Sequence, residues 1–488
     1  MKLFRFRGGV HPVAHKQSTG CKAINTMPVP KHLYVPVQQH IGAPAEPMVN
    51  IGQSVLRGEL LAYSQGALSA PVHAPSSGTV IDISEHTAPH PSGLPVRTII
   101  IETDGEDKWC STQTAQNPFT LDSDEISARV GAAGIVGLGG ATFPSAVKLN
   151  MGKQYPIHTL VINGGECEPY LTCDDRLMQE QASAIVDGIR IMLHALHTQK
   201  ALVAIEDNKP EAIEAMKIAS NLFDSVEVIT VPSRYPMGSE KQMIQTLTGM
   251  EIPAGKRSAD IGIIVHNVGT AYAVHQAIRH GFPLLSRIVT IGGGAVKNPQ
   301  NLEVRLGTLV SEVFAYCDGF VETPKRILMG GPMMGQVLPS QDVPIVKGSS
   351  GVIALTSREI AISENRPCIS CGSCVEACPC GLLPLAMAAR ARKGEFDAAV
   401  DFGLMDCISC GSCSYVCPSH IPLVQYFNYA KGELAARRRD QIKNEATRKL
   451  AEQRNIRMQR IEQEKAEMAA KRRAMQEAKE KAKQEAAS

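Results

Sequence analysis

The sequence predicts a multidomain α/β protein that ends in a charged helical tail. At 488 residues the chain is long enough for three or four domains. Short β-like runs between turn residues fill positions 28–104, whereas β-like runs alternate with amphipathic helical stretches over 122–264. Such alternation is typical of an α/β layer with a largely parallel sheet. The predicted segments are 1–115, 120–284, 285–355, 356–430 and 431–488.

Composition and charge narrow the class of partner. The formal net charge is only +2, which argues against nucleic acid as the main partner. Aromatic residues make up 5% of the chain, so base-stacking platforms are not indicated. No apolar stretch reaches the ~18–20 residues that span a bilayer, and residues 1–22 lack the apolar core of a signal peptide. We therefore expect a soluble or peripheral protein, with no direct membrane span and with its thiols in a reducing cytoplasm.

The first segment is rich in proline, glycine, valine and isoleucine. It resembles the barrel-sandwich hybrid of biotinyl and lipoyl domains, which presents a lysine on a hairpin between its two halves. The corresponding stretch here, from Tyr63 to His73, contains no lysine. We therefore expect a docking or structural module rather than a swinging arm.

The next two segments are predicted to form separate modules. Over 120–284 we expect a largely parallel sheet, and over 285–355 a second β-rich module that resembles a β-grasp domain. In the first module the predicted strands are 160–163, 201–205 and 226–229, and the predicted helices are 180–197 and 209–223.

Eight of the 14 cysteines form two copies of one spacing, C-x2-C-x2-C-x3-C-P. This run holds [4Fe–4S] clusters in two-cluster ferredoxins, where the fourth cysteine of each run ligates the other run's cluster. The sequence therefore predicts two clusters and single-electron transfer. The predicted ligands are Cys368, Cys371, Cys374 and Cys417 for the first cluster, and Cys407, Cys410, Cys413 and Cys378 for the second.

Zinc and disulfides are the alternatives to iron–sulfur clusters at these cysteines. Zinc sites use paired C-x2-C hooks, which fit a triple run poorly, and disulfides need an oxidising compartment. A helical stretch over 385–392, between the two runs, predicts an α-helical ferredoxin domain over 356–430. Cys380 has no place among the ligands, and we expect a packing thiol there. After Gly432 the chain has no glycine or proline, which predicts a solvated helix or a partly disordered tail.

A glycine-rich stretch from Gly134 to Lys148 is a candidate phosphate loop. Gly137, Gly139 and Gly140 would let backbone amides approach a phosphate, and Lys148 adds a positive charge. Downstream, Glu168, Asp174 and Asp175 follow a predicted strand. Those carboxylates could accept hydrogen bonds from ribose hydroxyls, or they could form a calcium-like or salt-bridged loop. Residue chemistry leaves both open.

Four motifs, in order, resemble the NADH-binding flavoprotein subunit of respiratory complex I. They are Gly134–Lys148 (its glycine loop), Asn163–Pro169 with Asp175-Arg176 (N-x-D-E-x-E-P…D-R), Tyr235–Glu240 (Y-x-x-G-E-E) and Asn267–Thr270 (N-V-E-T). The opening Phe6–Pro12, the barrel-sandwich hybrid and the doubled cysteine run resemble more closely the RnfC family, also called RsxC. Its members belong to the Rnf complex, a membrane-bound, ion-translocating NADH–ferredoxin oxidoreductase. The resemblance covers residues 1 to about 430.

The resemblance implies a Rossmann-like domain that binds FMN and takes NADH as substrate. The implied FMN or NADH contacts are Gly137, Gly139, Gly140, Lys148, Asn163, Glu166, Glu168, Tyr235, Glu240, Asn267 and Thr270. Four positions depart from the complex I pattern. Leu138 replaces an arginine, Gly165 an aspartate, Ser239 a glutamate and Gly269 a glutamate.

The implied function is that of an NADH-dependent oxidoreductase, a peripheral electron-input subunit on the cytoplasmic face of the bacterial inner membrane. The implied partners are the integral membrane and iron–sulfur subunits of the Rnf complex. The cofactors would do the chemistry, so no side chain need be catalytic. Two alternatives stay open: a cobalamin reductase of the propanediol-utilisation type, and an electron-transfer adaptor without a working NADH site.

Overall fold

The computed structural model describes residues 2–66, 68–90, 92–112, 114, 117–360 and 364–486. Internal contacts divide the chain into two compact units, one formed by 1–386 and 405–424 and the other by 387–404 and 425–488. The predicted segment bounds at residues 1, 115 and 488 lie outside the described residues.

An N-terminal arm precedes the first sandwich and contributes to domains that follow much later in the chain. It contains α1 (Gln17–Gly20) and β1 (Asn25–Thr26). The ring of Phe6 is buried with Met243 and Leu247 in a core of the α/β domain. The arm is therefore held by tertiary contacts rather than by secondary structure of its own.

Seven strands then form two antiparallel sheets with a common core. They are β2 (His32–Pro36), β3 (Glu46–Pro47), β4 (Ser54–Val55), β5 (Leu60–Tyr63), β6 (Val72–His73), β7 (Gly78–Thr87) and β8 (Pro95–Thr103). The larger sheet has the order β2-β8-β7-β4 and the smaller one β3-β5-β6. Leu33, Leu61 and Ile99 are fully buried in the core that the two sheets share, as in a two-sheet sandwich.

The α/β domain follows. Its elements are α2 (Ser123–Ala132), α3 (Ser145–Leu149), β9 (Thr159–Gly164), α4 (Cys173–Glu180), α5 (Ala182–Leu196), β10 (Ala201–Glu206), α6 (Pro210–Ser220), β11 (Val226–Val231), α7 (Glu240–Thr248), β12 (Ile263–Asn267) and α8 (Val268–His280). The 3-10 turns are Pro118–Thr120, Asn150–Lys153 and Ser258–Ile261. The single predicted helix 180–197 is wrong at its start, because the backbone of Gln181 leaves the helical region (φ −127°, ψ 27°) and separates α4 from α5.

All strand pairs in this domain are parallel, in the order β11-β10-β9-β12. Every residue of β10 is buried, as expected for a parallel strand covered on both faces. The direction of strand succession reverses between β9 and β12. Open α/β sheets bind ligands in the crevice at the carboxyl ends of the strands at such a reversal. Asn163 and Asn267, at the ends of these two strands, are register partners.

The next module is a mixed sheet with one helix. Its elements are β13 (Ser286–Gly292), β14 (Gln300–Arg305), α9 (Val310–Tyr316), β15 (Arg326–Met329), β16 (Gln336–Val337) and β17 (Gly351–Leu355). The sheet order is β1-β14-β13-β17-β15-β16, so the arm strand β1 forms one edge. Phe314 of α9 is buried with Val289 and Leu302 of the sheet.

Short helices and one long helix complete the chain. They are α10 (Ser373–Glu376), α11 (Pro384–Arg392), α12 (Phe396–Asp401), a 3-10 turn (Leu404–Asp406), α13 (Ser412–Tyr415) and α14 (Leu423–Glu485). In the second unit the guanidinium of Arg437 lies 5.0 Å from the ring centroid of Phe396. Beyond that contact, the side chains of residues 438–484 are exposed. Among the described residues, no helix has both the length and the apolar character to cross a membrane.

Candidate functional sites

The glycine loop lies at the reversal point between β9 and β12. The amide of Gly137 donates to the carbonyl of Phe143 (2.8 Å), which closes the loop on itself. The amide of Leu138 donates to Oγ1 of Thr270 (3.0 Å), a fully buried residue in the first turn of α8. A Cβ on Gly139 would lie 3.5 Å from Cβ of Asn267. The structure thus brings the loop, Asn267 and Thr270 together.

Gly140 is the most open position of this loop. Its φ of +102° lies in the region that glycine adopts most readily, and a Cβ added there would meet no atom within 4 Å. The backbone at Gly140 is thus left uncovered by side chains, beside the N-terminus of the 13-residue helix α8. This arrangement suits the close approach of an anionic group.

The two asparagines at the strand ends each close a turn. Asn163 accepts a hydrogen bond from the amide of Gly165 (2.9 Å) and donates to the carbonyl of Gly238 (2.8 Å). Asn267 accepts from the amide of Gly269 (2.8 Å), which caps α8, and donates to Oδ2 of Asp174 (2.6 Å). Both side chains therefore fix the backbone that borders the crevice.

The two glutamates of the segment after β9 are bonded within the protein. The Glu166 carboxylate accepts from the Cys173 thiol (3.2 Å) and from the amides of Asp174 (3.0 Å) and Asp175 (3.3 Å), at the start of α4. The Glu168 carboxylate accepts from the amides of Met333 (2.9 Å) and Met334 (2.8 Å). Burial raises the pKa of Glu168 to about 7. Neither carboxylate is a simple solvated charge.

A lysine that the sequence analysis did not single out binds the backbone of the segment after β9. The ammonium of Lys16 donates to the carbonyls of Glu166 (2.8 Å), Glu168 (3.0 Å) and Leu171. Burial lowers the pKa of Lys16. Because Lys16 lies about 150 residues upstream in the arm, no local motif links the two.

Three further residues of the predicted site, Lys148, Glu240 and Tyr235, make contacts within the protein. Nζ of Lys148 donates to the carbonyl of Val265 (3.0 Å) and lies 3.6 Å from Oε2 of Glu240, the first residue of α7. Tyr235 is 2% exposed, and its hydroxyl donates to the carbonyl of Cys410 (2.6 Å). The hydroxyl of Tyr235 is thus directed to the second cysteine run.

The two cysteine runs have the same local structure. In each run the serine two residues after the first cysteine has positive φ, +55° at Ser370 and +57° at Ser409. The amides of these serines donate to the thiols of Cys368 and Cys407, each at 3.4 Å. The short helices α10 and α13 then occupy equivalent positions. The repeated C-I-S-C-G-S-C sequence therefore gives the same backbone conformation in both runs.

The fourth cysteine of each run lies near cysteines of the other run. The pKa of Cys413 is raised to about 12 by burial and, further, by electrostatic interaction with the neighbouring Cys410, Cys407 and Cys378. Burial also raises the pKa of Cys374, and electrostatic interaction with Cys417 and Cys368 raises it further. Among the described residues, no three side chains of His, Cys, Asp or Glu are arranged to hold a single metal ion.

The two thiol groups differ in exposure. We call the group of Cys378, Cys407, Cys410 and Cys413 the inner thiol group, and the group of Cys368, Cys371, Cys374 and Cys417 the outer thiol group. Three members of the inner group are at most 8% exposed, whereas Cys368 and Cys371 of the outer group are exposed. Cys380 lies beside the inner group, and burial raises its pKa to about 11.

The inner thiol group is covered by the arm, the α/β domain and the β-rich module. The amide of Gly9 donates to the carbonyl of Ala377 (2.9 Å), and Val10 pairs with Tyr235 through two backbone hydrogen bonds. Gln242 of α7 donates to the carbonyl of Pro379 (3.3 Å). Val10, Tyr235 and Cys410 belong to one apolar cluster, against which Met333 packs. These contacts join the glycine-loop domain to the inner group.

Four known protein families match successive parts of the chain. Residues 4–106 match the RnfC barrel sandwich hybrid domain, 130–276 the Nuo51 FMN-binding domain, 288–337 the SLBB domain and 367–421 the 4Fe-4S dicluster domain. The C subunit of the ion-translocating oxidoreductase complex of Rhodobacter capsulatus is 53% identical over 438 residues, which are 90% of this chain and 84% of that protein. The chain belongs to the RnfC family. The predicted membership, the barrel-sandwich hybrid, the FMN-binding domain and the two-cluster domain are thereby confirmed.

Other similar proteins cover less of their own length or are more distant. The C subunit of the proton-translocating ferredoxin:NAD(+) oxidoreductase complex of Clostridium ljungdahlii is 45% identical over 88% of this chain and 94% of that protein. The corresponding ion-translocating oxidoreductase protein of Pseudomonas aeruginosa is 44% identical over 95% of this chain and 60% of its own length. Among solved structures, an air-oxidized NAD+-reducing [NiFe]-hydrogenase has 18% identity and a TM-score of 0.48, over 67% of this chain and 69% of that chain.

The arm glycine Gly9 provides a test of how the inner thiol group is held. At φ +83° a Cβ would lie 2.7 Å from the carbonyl oxygen of Tyr235, whereas at Gly52, with φ +86°, it would meet nothing within 4 Å. We predict that Gly9→Ala alters the EPR signal of one cluster, the one that depends on Cys410, and leaves the other unchanged. Gly52→Ala, which carries the same backbone strain, should leave both signals as in the parent. Equal effects of the two substitutions on both signals would contradict the inferred role of the arm.

Proposed function

We propose that this chain is the peripheral electron-input subunit of a membrane-bound, ion-translocating complex and passes electrons between NADH and ferredoxin. The observation that carries the proposal is the direct packing of an FMN-binding domain against the inner of two four-thiol groups, through Tyr235 and Cys410. Two of the relatives named above are C subunits of an ion-translocating oxidoreductase complex and of a proton-translocating ferredoxin:NAD(+) oxidoreductase complex. In this role the chain is an oxidoreductase subunit of a translocase.

The described residues fit the cofactors that this function needs. When bound, FMN accepts two electrons as a hydride and releases them singly, and [4Fe–4S] clusters carry single electrons. Eight thiols in two groups of four supply the ligand set for two cubanes. We propose the inner and outer thiol groups as those two ligand sets, each with its fourth cysteine taken from the other run.

For the flavin and the nicotinamide, we propose the crevice between β9 and β12 of a Rossmann-like domain, on the support of its strand order. Gly139 and Gly140 would let the loop backbone approach the flavin phosphate, while Gly137, Asn267 and Thr270 hold the loop. Asn163, Glu166, Glu168 and Tyr235 would shape the surrounding backbone. Lys148 and Glu240, as an ion pair of 3.6 Å, would border the site.

The two thiol groups differ in their accessibility to a partner protein. The inner group is enclosed by the arm and the α/β domain, whereas Cys368 and Cys371 are accessible to solvent. We infer that a partner subunit approaches the outer group. The described part of the tail is highly charged and has no substantial apolar face, so attachment would depend on the folded body.

For location, we propose the cytoplasmic face of the bacterial inner membrane, where integral membrane and iron–sulfur subunits of the complex would hold the chain. Fractionation of cells that lack those subunits tests this. The chain should then leave the membrane fraction, and a chain that still sediments with bare membranes would contradict the proposal.

One observation favours the alternative of an electron-transfer adaptor. The Glu166 carboxylate already accepts three hydrogen bonds from the start of α4, so it is not free to bind a nucleotide without rearrangement. Iron without retained flavin in the purified chain would favour the adaptor over the flavin enzyme.

Cys378 tests the exchange of fourth ligands between the two runs. We predict that Cys378→Ala loses about four of about eight irons per chain. The remaining EPR signal should match that of Cys410→Ala and differ from that of Cys371→Ala, because Cys378 lies with Cys410. Cys380→Ala is the control, since it lies beside the same group, and should keep both signals. A match between Cys378→Ala and Cys371→Ala would show that each run holds its own cluster.

Gly140 tests the flavin loop. We predict that Gly140→Val abolishes FMN retention, because the side chain would stand where the backbone must meet the phosphate. The iron content should stay at about eight per chain. Gly105→Val is the control, since Gly105 also has positive φ (+77°) and no atom near its added Cβ. Normal FMN content in Gly140→Val, or equal loss in both variants, would refute the loop assignment.

A further inference from the structure

Arg287 is a buried cation beside the glycine loop. It is the second residue of β13 and is 6% exposed. Its Nε donates to the carbonyl of Ser349 (3.1 Å) and its Nη2 to the carbonyl of Leu138 (3.3 Å). Burial lowers the pKa of Arg287. Both of these acceptors are uncharged, so neither bond neutralises the guanidinium.

Two acidic side chains interact electrostatically with Arg287, those of Cys173 and Asp174. The Cys173 thiol donates to Glu166 (3.2 Å) and Oδ2 of Asp174 accepts the hydrogen bond from Asn267 (2.6 Å). Burial raises the pKa of Asp174 to about 6. A buried cation that lacks a close counter-ion is costly, and a bound anion nearby would offset that cost.

The guanidinium meets the loop where two departures from the complex I pattern coincide. A Cβ added to Gly269 would lie 3.6 Å from Nη1 of Arg287 and 3.7 Å from Cδ1 of Leu138. Positions 138 and 269, an arginine and a glutamate in the complex I pattern, are thus neighbours. With leucine and glycine there, the charge at this point comes from Arg287 of the adjacent module.

The positive charge of Arg287 acts on the same region as the N-terminus of α8. Gly269 lies in the first turn of α8, so the guanidinium and the positive end of the helix dipole act on the same region. Lys148, the cation within the loop motif, lies 3.6 Å from Glu240 and is partly neutralised. Unlike Lys148, Arg287 has no carboxylate within ion-pair distance among the described residues, and it contacts the loop at Leu138.

We propose that Arg287, supplied by the β-rich module, provides the positive charge of the flavin-phosphate site and acts through the glycine loop. The proposal rests on the proposed FMN site at this loop. It makes Arg287 a positioning and specificity residue for the phosphate group. It also gives the β-rich module a part in flavin binding.

The test compares two flavins that differ only in the phosphate. The chain is stripped of flavin with its clusters retained, and the dissociation constants of FMN and riboflavin are measured anaerobically for the parent, Arg287→Gln and Arg287→Lys. We expect Arg287→Gln to weaken FMN binding by roughly tenfold or more, because it removes the buried charge that acts on the phosphate through the loop. Riboflavin binding should change less than about twofold, and Arg287→Lys should keep most of the preference for FMN.

The matched control is Arg305→Gln. Arg305 lies on the neighbouring strand β14 but is paired with Asp107 at 2.7 Å, and its loss should leave the FMN-to-riboflavin ratio unchanged. Equal weakening of both flavins by Arg287→Gln would show that Arg287 only supports the loop and would overturn the proposal, as would unchanged FMN binding. If Arg287→Gln does not fold, loss of the FMN preference in Arg287→Lys overturns it and retention supports it. A parent chain that binds neither flavin refutes the FMN site itself.

Discussion

The hydrogen bond from the Tyr235 hydroxyl to the Cys410 carbonyl (2.6 Å) is the contact on which the functional arrangement depends. Tyr235 belongs to the α/β domain, and its backbone pairs with Val10 of the N-terminal arm. One residue thus joins the arm, the FMN-binding domain and the inner thiol group. Because a buried hydroxyl or carbonyl without a partner costs about 1–3 kcal/mol, the packing around Tyr235 favours a single relative position of loop and thiols. Electron transfer between two bound groups requires such a fixed separation.

The second constraint is the unequal environment of two nearly identical cysteine runs. The runs share their spacing and local backbone, but the inner thiol group is buried among apolar residues and the outer group meets solvent. Burial disfavours additional negative charge, and exposure and hydrogen bonding set the potentials of iron–sulfur sites. The surrounding domains, rather than the ligands, therefore distinguish the two sites. The exposed group is the one that a partner can approach without displacing the fold.

Local patterns explain how much of this could be predicted from the sequence. The parallel strands were predicted from short apolar runs, because a strand buried on both faces leaves such a run. The spacing of the cysteine runs predicted the two-cluster domain, which the 4Fe-4S dicluster match confirms, whereas the assignment of each thiol to a cluster stays a prediction. The family resemblance selected the glycine loop and its neighbours. It could not show that Glu166 binds the start of α4, since that contact depends on the turn that follows Pro169.

Contacts between distant parts of the chain left no such pattern. Lys16 binds three carbonyls about 150 residues away, and β1 pairs with β14 across an even longer separation. Arg287 looks like an ordinary strand residue in the sequence, and only the fold brings it to Leu138. The break between α4 and α5 falls at a glutamine, a residue that usually favours helix. In each case tertiary contacts determine the local structure, and such contacts cannot be predicted from hydrophobic periodicity or motif spacing.

In the proposed function, one chain takes electrons from NADH at a flavin and delivers them to two iron–sulfur clusters. The most direct test of this function is an anaerobic titration of the purified chain with NADH, followed by flavin absorbance and cluster EPR on the same sample. We expect flavin absorbance to bleach and cluster signals to appear together with the bleaching. Clusters that are reduced by dithionite but stay oxidised with excess NADH, in a chain that retains FMN, would contradict the proposed function.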